Sequence, residues 1–219
     1  KGLMKRQFVQ SETEPCLFFR NDYILICYTD DCCLFGPNQK ALDNVIADLR
    51  KEFLLEDEGE IKDFLGVRVV NDRANGTITM TQEGLIASVL KQVGLPVDED
   101  KRTVQPKFTP ADGILHADTV GQERQLPWNY RSVIGKLMFI ANNTRPDIAF
   151  AVHQAARYST NPKKSHEIAV KHICRYLWLT QNKGLVCRPN GDGELNAYCD
   201  SDFAGRWHES TTHLRESVL

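Results

Sequence analysis

Residues 23–36 read Tyr-Ile-Leu-Ile-Cys-Tyr-Thr-Asp-Asp-Cys-Cys-Leu-Phe-Gly, an apolar run broken by two adjacent carboxylates. Six strand-forming residues, Tyr23 to Tyr28, lead into Thr29, Asp30 and Asp31, and Cys32 to Phe35 lead out. A run that is apolar at every position reads as a strand buried on both faces or lying in a packed sheet. Two acids in its middle would be costly if they sat dry and unpaired. The run is therefore expected to surface as a hairpin with Asp30 and Asp31 at its tip. Their oxygens then suit a hard divalent ion such as Mg²⁺. A plain polar turn is the alternative, since Asp is common in turns. The apolar flanks and the Tyr-x-Asp-Asp form favour the metal.

Upstream, Cys16-Leu17-Phe18-Phe19 predicts a strand, and Arg20-Asn21-Asp22 a turn into the central one. Downstream of Gly36 the period changes. Leu42, Val45, Ile46, Leu49 and Phe53 recur at helical spacing, with Asn38 as N-cap. After an acidic connection over 54–61, Phe64 to Val70 reads as one strand, and Asn75-Gly76 turns it into Thr77–Thr81. A helix is expected from Gln82 to Val93, closed by Gly94. Residues 96–128 show no periodicity and carry Pro96, Pro106, Pro110 and Pro127, which predicts an irregular connection between two lobes. Helices follow from Tyr130 to Asn142, from Pro146 to Tyr158 and from Ser165 to Thr180. In the last, Ile168, Ile173, Tyr176 and Leu177 are expected inside. Strands Leu185–Arg188 and Leu195–Cys199 come last.

Composition bounds the function. The chain has 219 residues, 42% of them hydrophobic and 26% charged, as in an ordinary globular protein. No apolar run approaches the roughly 20 residues of a membrane helix, and the start resembles no signal peptide. The seven cysteines include no Cys-x-x-Cys pair, so they read as small hydrophobes in a reduced cytoplasmic or nuclear compartment. The net charge of −2 hides a lopsided distribution. Between Tyr130 and Lys183, nine Lys and Arg face only Asp147 and Glu167. That tract is a candidate phosphate-facing surface through Lys163, Lys164, Lys171 and Arg175, or else a set of solvated helix faces.

In-line phosphoryl transfer commonly uses two divalent ions, and three carboxylates usually hold them. Here Glu12 and Glu14 lie in a polar loop and Asp22 in a turn, so a third ligand is missing. Asp200, delivered by the last strand with Asp202 close behind, repeats the theme of a carboxylate at a strand end. The histidines form no nucleophile or metal pattern, and no Gly-rich phosphate loop occurs.

Nine short motifs then occur in one order. They are Pro15-Cys16-Leu17-Phe18, Tyr28-Thr29-Asp30-Asp31, Asp63-Phe64-Leu65-Gly66, Thr109-Pro110, Tyr130-Arg131-Ser132 with Gly135, Thr144-Arg145-Pro146-Asp147-Ile148-Ala149, Asn161-Pro162 with His166, Arg175-Tyr176-Leu177, and Asp200-Ser201-Asp202-Phe203-Ala204-Gly205. In this series the chain resembles the copia-type retrotransposon reverse transcriptases, from about Phe8 to Gly205.

The resemblance implies an α+β fold: a palm-and-thumb remnant over 1–95, a linker over 96–128, a helical connection over 129–190 and a truncated ribonuclease H-like start over 191–219. It implies that Asp30 and Asp31 are two of three polymerase ligands for Mg²⁺. Tyr28 and Phe64-Leu65-Gly66 would contact nucleic acid, the latter as the hairpin that grips the primer. Asp200 would be the first ribonuclease H carboxylate. The partners implied are an RNA or DNA template-primer and dNTPs. The third polymerase aspartate is expected upstream of Lys1, so the chain reads as the middle of a polyprotein, inactive in isolation. A non-catalytic nucleic-acid-binding module and a metal-dependent ribonuclease H remnant are the alternatives.

Overall fold

The computed structural model describes residues 2–97 and 104–189. It is an α+β structure in two compact units that divide between Leu65 and Gly66. The first unit opens with a short helix α1 (Gly2–Lys5) and a four-stranded antiparallel sheet. Its strands β1 (Val9–Gln10), β2 (Leu17–Arg20), β3 (Tyr23–Tyr28) and β4 (Asp31–Phe35) lie in chain order. The register pairs Leu17 with Ile26 across β2 and β3, and Tyr28 with Asp31 across β3 and β4. Helix α2 (Gln39–Leu49) follows, and the Asn38 side chain accepts from the Ala41 amide at 3.0 Å as its N-cap. Val45 and Leu49 of α2 pack with Phe8 and Leu25 into a small core. Arg6 fastens the start of the chain to α2, donating to Asp48 at 2.9 Å and Glu52 at 2.7 Å.

The two-sided burial expected of the central strand is not found in the described residues. Leu25 is the one fully buried residue of β3. One helix covers one face of the sheet, and strand alternation sends every second side chain to the other. Val9, Phe19, Ile24 and Phe35 sit opposite one another in a row across the four strands, each at least 40% exposed.

A two-residue strand β5 (Asp63–Phe64) ends the first unit, and β6 (Val67–Asp72) opens the second. The single strand expected from Phe64 to Val70 is interrupted. Leu65 and Gly66 both take left-handed conformations, with φ of 50° and 77°, and the backbone turns there. Strand β6 pairs with β7 (Thr77–Thr81) around the Asn75-Gly76 turn, and β7 pairs on its far side with β8 (Leu185–Cys187). Gly184 lies so close to the Met80 carbonyl that a Cβ there would collide with it, which explains a glycine at the entry to β8.

Four helices carry the larger core: α3 (Glu83–Gln92), α4 (Tyr130–Asn143), α5 (Ala149–Ala156) and α6 (Lys164–Leu179). Pro146–Ile148 forms one 3-10 turn before α5. Ile86, Val89 and Leu90 of α3 interlock with Val133, Leu137 and Ile140 of α4, Val152 of α5 and Ile173 and Leu177 of α6. Truncating any of the Leu and Ile residues among these to Ala is expected to cost about 2–5 kcal/mol. Ile168, expected inside, is instead 60% exposed on α6.

The expected division into lobes at 96–128 does not coincide with these units, because α3 shares one core with α4, α5 and α6. Residues 104–128 do lack regular structure, as their sequence suggests, yet they are a strap pinned along α6. His172 Nε2 meets the Thr109 carbonyl at 2.9 Å, His166 Nε2 meets that of His116 at 3.1 Å, and Ser165 donates to Asp118 at 2.6 Å. Lys164 reaches Gln122 at 2.9 Å and Arg124 reaches Glu167 at 3.3 Å. Polar tethers of this kind leave no hydrophobic period to read.

Candidate metal-binding hairpin and nucleic-acid surface

The β3–β4 hairpin closes in two residues, Thr29 and Asp30, between the facing pair Tyr28 and Asp31. Thr29 holds a φ of 51°, a conformation disfavoured for a β-branched side chain, and its hydroxyl donates to the Tyr28 carbonyl at 2.8 Å. Asp30 and Asp31 are both exposed, as is Tyr28. The hairpin-tip reading is therefore met in its geometry, and the two acids escape the cost of burial by facing water.

Two adjacent carboxylates are hard donors suited to Mg²⁺. Among the described residues no group of three or more His, Cys, Asp or Glu side chains that could hold an ion occurs. Asp200 and its strand lie outside the described residues.

The thiols around this turn form a cluster. Cys27 and Cys32 occupy the rung next to Tyr28 and Asp31, and the Cys32 thiol donates to Cys27 with 3.1 Å between the sulfurs. Burial, then the contact with Cys32, pushes the Cys27 thiol up to about 12. Burial, then Cys32 and Asp31, raises that of Cys33. As small hydrophobes these cysteines gave no hint of pairing. The signal was their separation of five positions centred on a two-residue turn.

Phe64-Leu65-Gly66 forms the turn described above, with Leu65 39% exposed. The basic tract is more divided than its charge count suggests. Lys163 is buried, and its ammonium pairs with Glu123 while its backbone amide donates to His166 Nδ1 at 3.0 Å. As a phosphate contact Lys163 is a correction: it is spent on holding the strap. Arg145 is buried in a network with Asp147 and Thr180, Arg131 binds the Ser159 carbonyl at 3.0 Å, and Lys136 binds Gln92 at 2.9 Å. Lys171 and Arg175 are partly exposed and stand one turn apart on α6, with Lys164 on the same face. No helix among the described residues is long and apolar enough to cross a membrane.

Residues 1–106 match the family described as reverse transcriptase (RNA-dependent DNA polymerase). The chain is 32% identical over 93% of its length to the retrovirus-related Pol polyprotein from transposon TNT 1-94 of Nicotiana tabacum, of which it spans 16%. It is 28% identical over 91% of its length to a putative transposon Ty5-1 protein of Saccharomyces cerevisiae, spanning 64% of it. It is also 28% identical over 90% of its length to the Pol polyprotein from transposon RE1 of Arabidopsis thaliana, spanning 13% of it. No solved structure matches the chain. Through residues 1–106, which carry the exposed Asp30–Asp31 turn, the chain belongs to the reverse transcriptase family in the form found in retrotransposon Pol polyproteins.

Proposed function

We propose that the β3–β4 hairpin is the metal-binding hairpin of a retrotransposon reverse transcriptase and that Asp30 and Asp31 hold Mg²⁺ there during RNA-directed DNA synthesis. The observation that carries this is the placement of two adjacent carboxylates at an exposed two-residue turn, within the stretch matched to the family. Bound Mg²⁺ would supply charge to the phosphoryl group in transfer. The chain's own residues position it: β3 and β4 fix the turn, and Tyr28 offers an exposed ring beside it. Three carboxylates usually hold the two ions of such a site. The Pol polyproteins matched are far longer than the stretch they share with this chain, so a further ligand would be supplied in a larger assembly and residues 1–219 alone are not expected to polymerise. The template-primer and dNTPs are the substrates of that larger assembly. The Leu65-Gly66 turn fits a contact to the primer backbone, and Lys164, Lys171 and Arg175 fit phosphates along α6.

Primer extension on an RNA template with Mg²⁺ tests the reading. A polyprotein segment lengthened upstream is expected to incorporate dNTPs and to lose incorporation in Asp30→Asn and in Asp31→Asn. The 219-residue chain is expected to incorporate none. Equal incorporation by the long segment and its Asp30→Asn variant would sink the assignment.

A second reading rests on Lys171 and Arg175, a partly exposed cationic pair on α6: the chain binds nucleic acid without chemistry. Salt-dependent binding of a heteroduplex, lost in Lys171→Glu/Arg175→Glu but kept in Asp30→Asn, supports it. Binding that ignores the α6 charges removes it.

A further inference from the structure

We propose that Cys27 and Cys32 are a modification site, a cross-strand dithiol that small disulfides of the glutathione class convert to an intramolecular disulfide behind the Asp30–Asp31 turn. Three observations converge on this pair. The two residues face each other directly on adjacent antiparallel strands. Opposed residues of this kind have Cβ atoms about 4.5–5.5 Å apart, the lower end of which meets the upper end of the about 3.5–4.5 Å that a disulfide spans. Their sulfurs are already 3.1 Å apart, about 1 Å more than an S–S bond of about 2.05 Å. Finally, Cys32 is exposed while Cys27 is half-buried, so a reagent from solvent meets Cys32 first.

The neighbouring thiols are less well placed. Cys33 follows Cys32 in the strand, so its side chain points to the opposite face, where it pairs with Ile26. Cys16 precedes β2, and its carbonyl accepts from the Cys27 amide at 2.8 Å.

The chemistry balances through a mixed disulfide. The Cys32 thiolate attacks one sulfur of the small disulfide, forming a Cys32–S–S–R bond and releasing one RS⁻, which takes up the proton lost by Cys32. The Cys27 sulfur then gives up its proton and attacks Cys32 Sγ. A Cys27–Cys32 bond forms, the mixed bond breaks, and a second RS⁻ leaves and takes that proton. Two cysteine thiols are oxidised and one disulfide is reduced to two thiols. Burial holds the Cys27 thiol up, which makes Cys27 the second reactant and not the first. Closure would join β3 and β4 covalently one rung from Tyr28 and Asp31, restricting the strained turn that carries both carboxylates.

The test uses the folded 219-residue chain, reduced and then incubated with oxidised glutathione. Free thiols are blocked by alkylation, and unreduced peptides are mapped by mass spectrometry. The expected result is a Cys27–Cys32 crosslink in most chains, reversed by dithiothreitol. Cys27→Ser is expected to retain a stable glutathione adduct on Cys32, because the second step has lost its nucleophile. A lasting Cys32 adduct in the unsubstituted chain, a crosslink from Cys32 to Cys33 or Cys16, or an inert Cys32 would each overturn the proposal. The mapping on the unsubstituted chain decides even if Cys27→Ser does not fold.

Discussion

Arg145 grips Asp147 with two parallel hydrogen bonds, Nε to Oδ1 at 2.9 Å and Nη2 to Oδ2 at 2.7 Å. The same guanidinium donates to the Thr180 carbonyl at 2.8 Å and its hydroxyl at 2.7 Å, joining the turn before α5 to the end of α6. Arg145 is 2% exposed, so its charge depends wholly on these partners. Arg145→Lys keeps the charge but loses the planar fork. It is expected to lower stability by about 1.5–3 kcal/mol in urea denaturation, the range of hydrogen bonds to charged groups. A change within 0.5 kcal/mol, the scatter of neutral surface substitutions, would show that the fork is dispensable.

Asp147 gives that network a pH dependence. Burial pushes its carboxyl up, but the hydrogen bonds from Arg145 and Tyr176 outweigh this and hold it below the ordinary carboxylate range. A depressed folded value means stability that is fully present above the unfolded value of about 3.9 and lost as pH falls through the folded one. Asp147→Asn is therefore expected to flatten the acid limb of a stability-versus-pH curve below about pH 4. An unchanged acid limb in the variant would assign the acid sensitivity elsewhere.

Thr29 sits in the left-handed region with a branched Cβ, a placement that costs about 1–2 kcal/mol. Asn tolerates that region better, so Thr29→Asn is expected to stabilise the chain by up to about 1 kcal/mol. Chemical denaturation reads the change directly. A destabilised variant would mean that the Thr29 hydroxyl bond to the Tyr28 carbonyl contributes more than the strain removes.

His166 anchors the strap through Nε2, which meets the His116 carbonyl, and is itself held in place where Nδ1 accepts from the Lys163 amide and the ring stacks on Tyr158 at 4.0 Å. His166→Ala leaves buried partners unsatisfied and is expected to cost about 1–3 kcal/mol. Limited proteolysis should then cut first within residues 104–128. Cleavage elsewhere, with this segment still protected, would show that the other tethers suffice.

The hairpin and helices were legible in the sequence because each carries a local signal. Asn38, Asn75-Gly76 and the 3.6-residue period of Val133, Leu137 and Ile140 act over a few residues. What could not be read came from partners distant in the chain. Apolar residues at every position of 23–28 report hydrophobicity but not how many faces are covered, and Ile24 lies on the face left exposed. The charge of Lys163 is visible in the sequence, but its partner Glu123 lies forty positions earlier, with no local signal joining the two. The Asp30–Asp31 turn was readable because its alternatives were physically costly, whereas the neighbouring thiol pair emerges only from register.

Strand β8 sets an order of events for folding. Its register joins Ile78 to Cys187, so one edge of β7 has no partner until almost all of the described chain has left the ribosome. At about 5–20 residues per second of synthesis, that edge stays open for seconds, far longer than a β-hairpin of about 1–10 μs needs to form. In that interval β6 and β7 are already paired and offer free amides and carbonyls to any passing strand. The alternating threonines of β7, Thr77, Thr79 and Thr81, place hydroxyls along one face of the waiting strand until Leu185, Val186 and Cys187 arrive to close its edge.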